Sequence, residues 1–245
     1  MRLVCISDTH SLHEGMFHKL PEGDVLIHAG DCTNVGKEFE VKEFVEWFQN
    51  IKGFDTKIFI AGNHDFAFER RLEPHHKGDY DWLYHLINEE NLSQSDVTYL
   101  EDNFMTIESP EFSRPIKIYG SPWQPEFYNW AFNLPRQGDR LRFKWDSIPD
   151  DTDILITHGP PHGVRDFTPN NMQVGCELLR FRVEQFKPLV HVFGHIHGAY
   201  GAAQIEDTLY VNASICTERY KPINKPIIIE LKEYDGQIVA TYVEE

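Results

Sequence analysis

Residues 3–10 read LVCISDTH. Leu3 to Ile6 form an apolar run of strand length without polar alternation, as a strand covered on both faces requires. The run leads almost at once into Asp8-Thr9-His10, and the same arrangement recurs four times. Val25 to Ala29 leads into Gly30-Asp31, Lys57 to Ala61 into Gly62-Asn63-His64-Asp65, Ile154 to Thr157 into His158-Gly159, and Val190 to Phe193 into Gly194-His195-Ile196-His197. Clusters far apart in sequence converge when they leave one edge of a sheet, so the pattern predicts a single site. That site gathers seven potential metal ligands and reads as a two-metal hydrolytic centre.

Working outward, Phe39, Val41, Phe44, Val45 and Phe48 recur at roughly helical spacing and predict a crossover helix over Glu38 to Phe48. Further helices are expected over Tyr80 to Glu89 and Cys176 to Phe186. Val97 to Tyr119 predicts three short strands split by turn-prone segments, which marks the crossing into a second sheet. Residues 121–136, SPWQPEFYNWAFNLPR, carry five aromatic residues and three prolines without sustained periodicity, and are expected to fold as a rim over the site. After His197, Thr208 to Asn212, Pro226 to Leu231 and Gln237 to Val243 read as strands, an antiparallel finish to the second sheet.

The chain has 245 residues, 41% of them hydrophobic, and lacks a Pro/Gly/Ser-rich linker, so one domain over residues 1–245 is expected. A formal net charge of -16 without any block of Lys or Arg argues against extended DNA or RNA as a partner. Two divalent cations would bring the total to about -12 and leave a local electropositive pocket, which suits a small anionic substrate. Cys5, Cys32, Cys176 and Cys216 lack any CxxC spacing and are expected as buried free thiols. The N-terminus runs straight into a strand, and no apolar stretch reaches membrane-spanning length, so a cytoplasmic protein without membrane association is expected.

A binuclear hydrolase needs mixed oxygen and nitrogen ligands, a bridging carboxylate that holds two cations about 3.5–4 Å apart, and an open side for water and substrate. Asp31 is the natural bridge. Asp8 and His10, two residues apart, can point into one site while Thr9 turns away, and His195 and His197 can do the same. Asn63 supplies a neutral carbonyl oxygen, and His158 completes the set. No serine, cysteine or dedicated carboxylate base accompanies these groups, so a metal-bound hydroxide is the expected nucleophile. His64 is expected to face substrate and to protonate the leaving oxygen, oriented by Asp65 or Asp31.

The order D-x-H, G-D, G-N-H-D, H-G and G-H-x-H over residues 8–197 resembles the calcineurin-like metallophosphoesterase superfamily. Longer stretches, among them GSPWQPEFYNWAFNLPR, ILITHGPPHG and HVFGHIHGAYG, resemble its metallophosphoesterase-domain-containing branch, often called class III cyclic-nucleotide-phosphodiesterase-like. The resemblance implies an α/β fold, a four-layer α/β/β/α sandwich of two mixed β-sheets flanked by helices. It also implies one metal held by Asp8, His10, Asp31 and His197, a second held by Asp31, Asn63, His158 and His195, and a catalytic His64. Some mammalian members of the branch carry Gly where His195 stands; this chain keeps the histidine, which implies full activity.

The expected function is hydrolysis of small phosphodiesters, 3′,5′- or 2′,3′-cyclic nucleotides first among them. The alternatives are a phosphomonoesterase or nucleotidase, and a catalytically silent binding protein on the same fold. The cofactors are two divalent transition-metal ions (Mn, Fe, Co, Ni or Zn), with Mn the first choice for assay. Trp123, Phe127, Tyr128 and Trp130 are each more readily local core, and as a group can stack a base. With Arg136, His162, Asn212 and Ser214 they complete the candidate substrate side. His28 and His191, inside strand runs, are expected to be packed and hydrogen-bonded.

Overall fold

The computed structural model describes residues 1–76, 78–88, 91–92 and 94–244. In the first sheet, β1 (Arg2–Ile6), β2 (Val25–Ala29), β3 (Thr56–Ile60) and β4 (Val97–Tyr99) run parallel, with Leu3 opposite Val25 and Val25 opposite Thr56. The second sheet begins with the antiparallel pair β5 (Asn103–Ile107) and β6 (Ile116–Ser121). Beside β6 lie β9 (Ile154–Thr157), β10 (Val190–Phe193) and β12 (Thr208–Asn212), all parallel, with β11 (Gly201–Ile205) antiparallel at the far edge. The crossing between sheets therefore falls between β4 and β5.

Alternation along each strand sorts the core into layers. Leu3, Cys5, Ile27 and Ile58 from the first sheet share one buried cluster with Ile118, Ile156, Val192 and Val211 from the second. Val4, Ile6, Leu26 and Phe59 point the other way, into a cluster with Val41, Phe44, Val45 and Phe48 of helix α1 (Glu38–Asn50). Leu155 and Phe193 meet the same cluster, as do Leu141 and Trp145 of α4 (Asp139–Asp146) and Leu179 and Val183 of α5 (Glu177–Phe186). The result is two mixed sheets face to face with helices outside, the α/β/β/α order. Both faces of the strands are covered, which is why their sequences lack polar alternation. Short helices α2 (Phe66–Arg70) and α3 (Asp81–Ile87) follow β3. No helix among the described residues is long and apolar enough to cross a membrane.

Three expectations change. The five ligand-bearing strands do not share one sheet: β1, β2 and β3 belong to the first and β9 and β10 to the second. The last two strands, β13 (Ile227–Tyr234) and β14 (Gln237–Val243), return to the first sheet, where β13 pairs antiparallel with β1 and places Ile229 opposite Leu3. An apolar strand of that kind suits either sheet edge, and composition does not say which. Finally, Phe39 is exposed, so the buried stripe of α1 is Val41, Phe44, Val45 and Phe48. The helix expected over Tyr80 to Glu89 is found as Asp81–Ile87, and Glu89 lies outside the described residues. The rim is folded: β7 (Gln124–Pro125) pairs with β8 (Asn133–Leu134).

Candidate metal centre

The loops leaving β1, β2, β3, β9 and β10 meet where the two sheets end together. Asp8 N–H donates to Gly30 O at 2.9 Å and His10 N–H to Asp31 O at 3.0 Å, which ties the first two loops together. Across the sheets, Ile215 N–H donates to Ser7 O at 2.8 Å. Asp8, His10 and His197 then form one group of converging ligand atoms, and Asp31, His158 and His195 another, each within 4.8 Å. Asp31 Oδ2 stands 3.2 Å from His158 Nε2 and 3.8 Å from His10 Nε2, within reach of both groups. Asn63 Oδ1 lies 2.9 Å from His158 Nε2. All seven candidate ligands are thus brought to one place.

These residues fit a pair of divalent cations. His158 Nδ1–H donates to Ala29 O at 3.0 Å and His197 Nδ1–H to Thr217 O at 3.1 Å, which aims each Nε2 into the cluster. Nε2 of His10 and of His197 stand only 3.1 Å apart, and Nε2 of His158 faces two oxygen acceptors. Such an assembly of lone pairs needs positive charge at its centre, from protons or from cations. Burial alone lowers the His158 pKa, yet Asp31 and Asp8 lift it to about 9, while burial holds His10 at about 4 and His195 at about 3. Burial pushes Asp31 upward, but the neighbouring histidines, His158 first, hold it well below the usual carboxylate range. Two carboxylates, four imidazoles and an amide oxygen suit Mn, Fe, Co, Ni or Zn.

The backbone is bent to this purpose. Asp8, His10, Asp31 and His195 have φ of 53°, 44°, 54° and 67°, the left-handed region that non-glycine residues rarely occupy. Strain of this kind persists where surrounding contacts over-determine it. Glycines make the remaining room: a Cβ at Gly62 would stand 2.3 Å from Asp31 Oδ1, and one at Gly194 would stand 2.0 Å from Asp8 Oδ2. The space before Asn63 and before His195 is therefore filled by the two carboxylates, and His195 N–H donates to Asp8 Oδ2 at 3.0 Å.

His64 Nδ1–H donates to Asn34 O at 2.7 Å, and the ring stacks on Trp130 with centroids 4.0 Å apart. Its Nε2 lies 4.0 Å from Asp31 Oδ2 and faces a cavity of about 640 Å³ that opens on the cluster. Asp65 does not orient this ring. Its carboxylate accepts from Gly62 N, Cys32 N, Thr33 N and Thr33 Oγ1 and so fastens two ligand loops, with burial raising its pKa to about 6. The orienting group is the Asn34 carbonyl, for which no side-chain signal exists.

Several residues expected on the substrate side lie elsewhere. Trp123 is buried with its Nε1–H donating to Asp102 at 2.8 Å, and Trp130 backs His64. Arg136 reaches the cavity wall, yet its guanidinium is engaged by Gly175 O, Val174 O and Glu177. His162 is half-buried outside the cavity lining. Asn212 is wholly buried, donating to Ile196 O at 2.9 Å and accepting from Ser214 Oγ at 2.8 Å, while Ser214 Oγ also lies 2.9 Å from Asp8 Oδ2. Phe127 and Tyr128 do line the cavity, joined by Gln124, Met172 and Tyr220, which sequence reasoning missed. All four cysteines are buried and free.

Comparison with known proteins agrees with this geometry. Metallophosphoesterase domain-containing protein 1 of Homo sapiens is 46% identical over 240 residues, covering 94% of this chain and 71% of its own length. A probable glycerophosphodiester phosphodiesterase of Arcobacter nitrofigilis is 27% identical over 222 residues, covering 80% of this chain and 72% of its own. The solved structure of phosphopantetheinyl hydrolase from Mycobacterium tuberculosis has the same fold, with a TM-score of 0.54 at 18% identity over 89% of this chain and 90% of that one. A calcineurin-like phosphoesterase family model matches residues 1–199, and with that match the chain belongs to the calcineurin-like phosphoesterase family.

Proposed function

We propose that this protein is a metal-dependent phosphodiesterase acting on small phosphodiesters, cyclic nucleotides first among them. The observation that carries the reading is Asp31, set between two histidine groups with His64 beside it at the floor of an open cavity. Bound divalent cations would supply Lewis acidity and make a nucleophilic water available near neutral pH. Asp8, His10, Asp31 and His197 would hold one, and Asp31, Asn63, His158 and His195 the other.

The remaining chemistry belongs to the chain. The attacking water gives up a proton to solvent as its oxygen bonds to phosphorus, the ester P–O bond breaks, and the departing oxygen needs a proton. His64 as imidazolium can provide it from Nε2 while Nδ1–H stays on Asn34 O. Stacking on Trp130 keeps the ring from turning away. Beyond the candidate ligands and His64, the cavity wall carries Glu126 and Glu218, and its one guanidinium, Arg136, is held by Glu177 and two carbonyls. Beside the charge of the bound cations these exposed carboxylates add a modest repulsion, which favours a singly charged diester over a dianionic monoester. Four buried free thiols support a reducing, cytoplasmic setting.

The test is metal-free protein reloaded separately with Mn²⁺, Fe²⁺, Co²⁺, Ni²⁺ or Zn²⁺ and assayed on 2′,3′-cyclic AMP, 3′,5′-cyclic AMP, AMP and an aryl phosphodiester, beside His195→Ala. Turnover of a cyclic diester above AMP, lost in the variant, is the expected result. AMP preference would replace the reading with a monoesterase, and silence under every metal would replace it with a binding role.

A further inference from the structure

Gln124 lies in the rim segment, 1% exposed, among the residues that line the cavity. Its amide orientation follows from its neighbour. Asn133 Nδ2–H donates to two carbonyls, Phe127 O at 3.1 Å and Tyr128 O at 2.9 Å, so the Asn133 amide can only lie with its nitrogen on that side. Asn133 Oδ1 then faces Gln124 at 3.2 Å and must accept, which makes Gln124 Nε2 the donor. Gln124 Oε1 is thereby fixed on the other side, buried and without a hydrogen-bond partner. A methyl group at Gly159, the residue after candidate ligand His158, would stand 3.8 Å from this oxygen. A buried acceptor without a partner costs about 1–3 kcal/mol, so its retention beside a ligand site points to a donor that arrives with the ligand, met by a small turn of the Gln124 side chain because the oxygen is covered in the free protein.

We infer that Gln124 is a specificity-determining residue whose Oε1 accepts a hydrogen bond from a free hydroxyl next to the scissile phosphate. The substrate class narrows from phosphodiesters at large to hydroxyl-bearing ones, such as ribonucleotides. The inference rests on the proposed phosphodiesterase reading for its substrate, but its origin is the polarity of the Asn133–Gln124 pair. A site built around such a bond discriminates against the analogue lacking the hydroxyl, because its own polar group is then left unpaired.

The experiment compares Mn²⁺-loaded wild type and Gln124→Met on 3′,5′-cyclic AMP and its 2′-deoxy analogue by kcat/KM, and on 3′-AMP, whose 2′-hydroxyl adjoins its phosphate, and 2′-deoxy-3′-AMP by calorimetric binding. Wild type should favour the hydroxyl form by about tenfold or more in both measurements. In the variant the ratio should collapse toward one, with the larger loss on the hydroxyl form. Equal treatment of the two forms by wild type, or an unchanged ratio in Gln124→Met, would overturn the inference. If no diester is turned over, the phosphodiesterase reading fails by itself, and the binding pair still decides Gln124: equal affinities, or no binding of either nucleotide, count against it. Wild type alone yields the first comparison, so a misfolded variant does not protect the idea.

Discussion

His64 has one ring nitrogen committed to a backbone carbonyl and one facing the cavity, the division of labour a proton donor requires. His64→Ala should leave metal content unchanged and slow turnover, by about 10²- to 10⁴-fold for an alkoxide leaving group and much less for a phenolate. Equal losses across leaving groups would remove the acid role. Asp31→Asn should behave differently, because an amide replaces the one carboxylate within reach of both histidine groups. Elemental analysis should find metal content falling well below two ions per chain, and two retained ions would refute the bridge. Residues of this kind were legible in sequence because carboxylates and imidazoles announce their chemistry. The carbonyls of Asn34, Ala29 and Thr217, which fix the rings, were not, since every residue has a carbonyl and only the fold selects one. Asp65 misled for the opposite reason: adjacent to His64 in sequence, its carboxylate turns back to close the Cys32–Thr33 and Gly62 turns.

At the scale of elements, strand ends do the positioning. The loop after β10 is pinned to the end of β12 through Asn212, whose amide donates to Ile196 O and accepts from Ser214, which in turn contacts Asp8 from the other sheet. Replacing it by an apolar residue of similar size removes these bonds and deprives the Ser214 N–H, 3.2 Å from Asn212 Oδ1, of that acceptor, while Ile196 O keeps the Ala199 N–H and Ser214 Oγ keeps Asp8. Asn212→Leu should therefore cost about 1–3 kcal/mol in urea unfolding and weaken metal binding in a titration, although Asn212 is not part of the wall of the substrate cavity. A variant with wild-type stability and affinity would show the brace to be dispensable. The strand-then-cluster rhythm was readable because strands buried on both faces lose their polar alternation, and α1 was readable from its 3.6-residue period. Helix α4 was not, because its buried surface is chiefly Leu141 and Trp145, one turn apart. β11 likewise escaped: Gly201-Ala202-Ala203-Gln204-Ile205 has little β-propensity and takes its form from pairing with β12.

On the scale of the whole molecule, the two sheets carry a matching feature. His28 in β2 and His191 in β10 both point outward beneath the helical layers, against Phe44 and Phe48 in one case and Tyr210 in the other. Each is hydrogen-bonded through Nε2 to a threonine beside a candidate ligand, Thr9 in the loop after β1 at 2.9 Å and Thr157 at the end of β9 at 2.8 Å. Thr157 Oγ1 donates to Gly159 O, so the His191 Nε2–H is the donor to it and Nδ1 remains bare in an apolar layer. Burial lowers both imidazoles to about 3. An unfolded chain takes up these protons near its ordinary histidine pKa of about 6.5, whereas the folded chain refuses them. Stability should therefore be independent of these groups above that pH and fall as pH drops from about 6.5 toward 3, by about 1.4 kcal/mol per pH unit for each histidine. At pH 5 the two together would remove about 4 kcal/mol, a large part of an ordinary domain's stability. His191→Gln takes one of the two out of the titration while leaving an amide that can still donate to Thr157. Urea midpoints at pH 8 and pH 5 should show the variant losing about 2 kcal/mol less than wild type on acidification. Parallel losses in the two proteins would mean that His191 is protonated within the folded state, and that the outer layer beneath α5 admits charge which its packing argues it excludes.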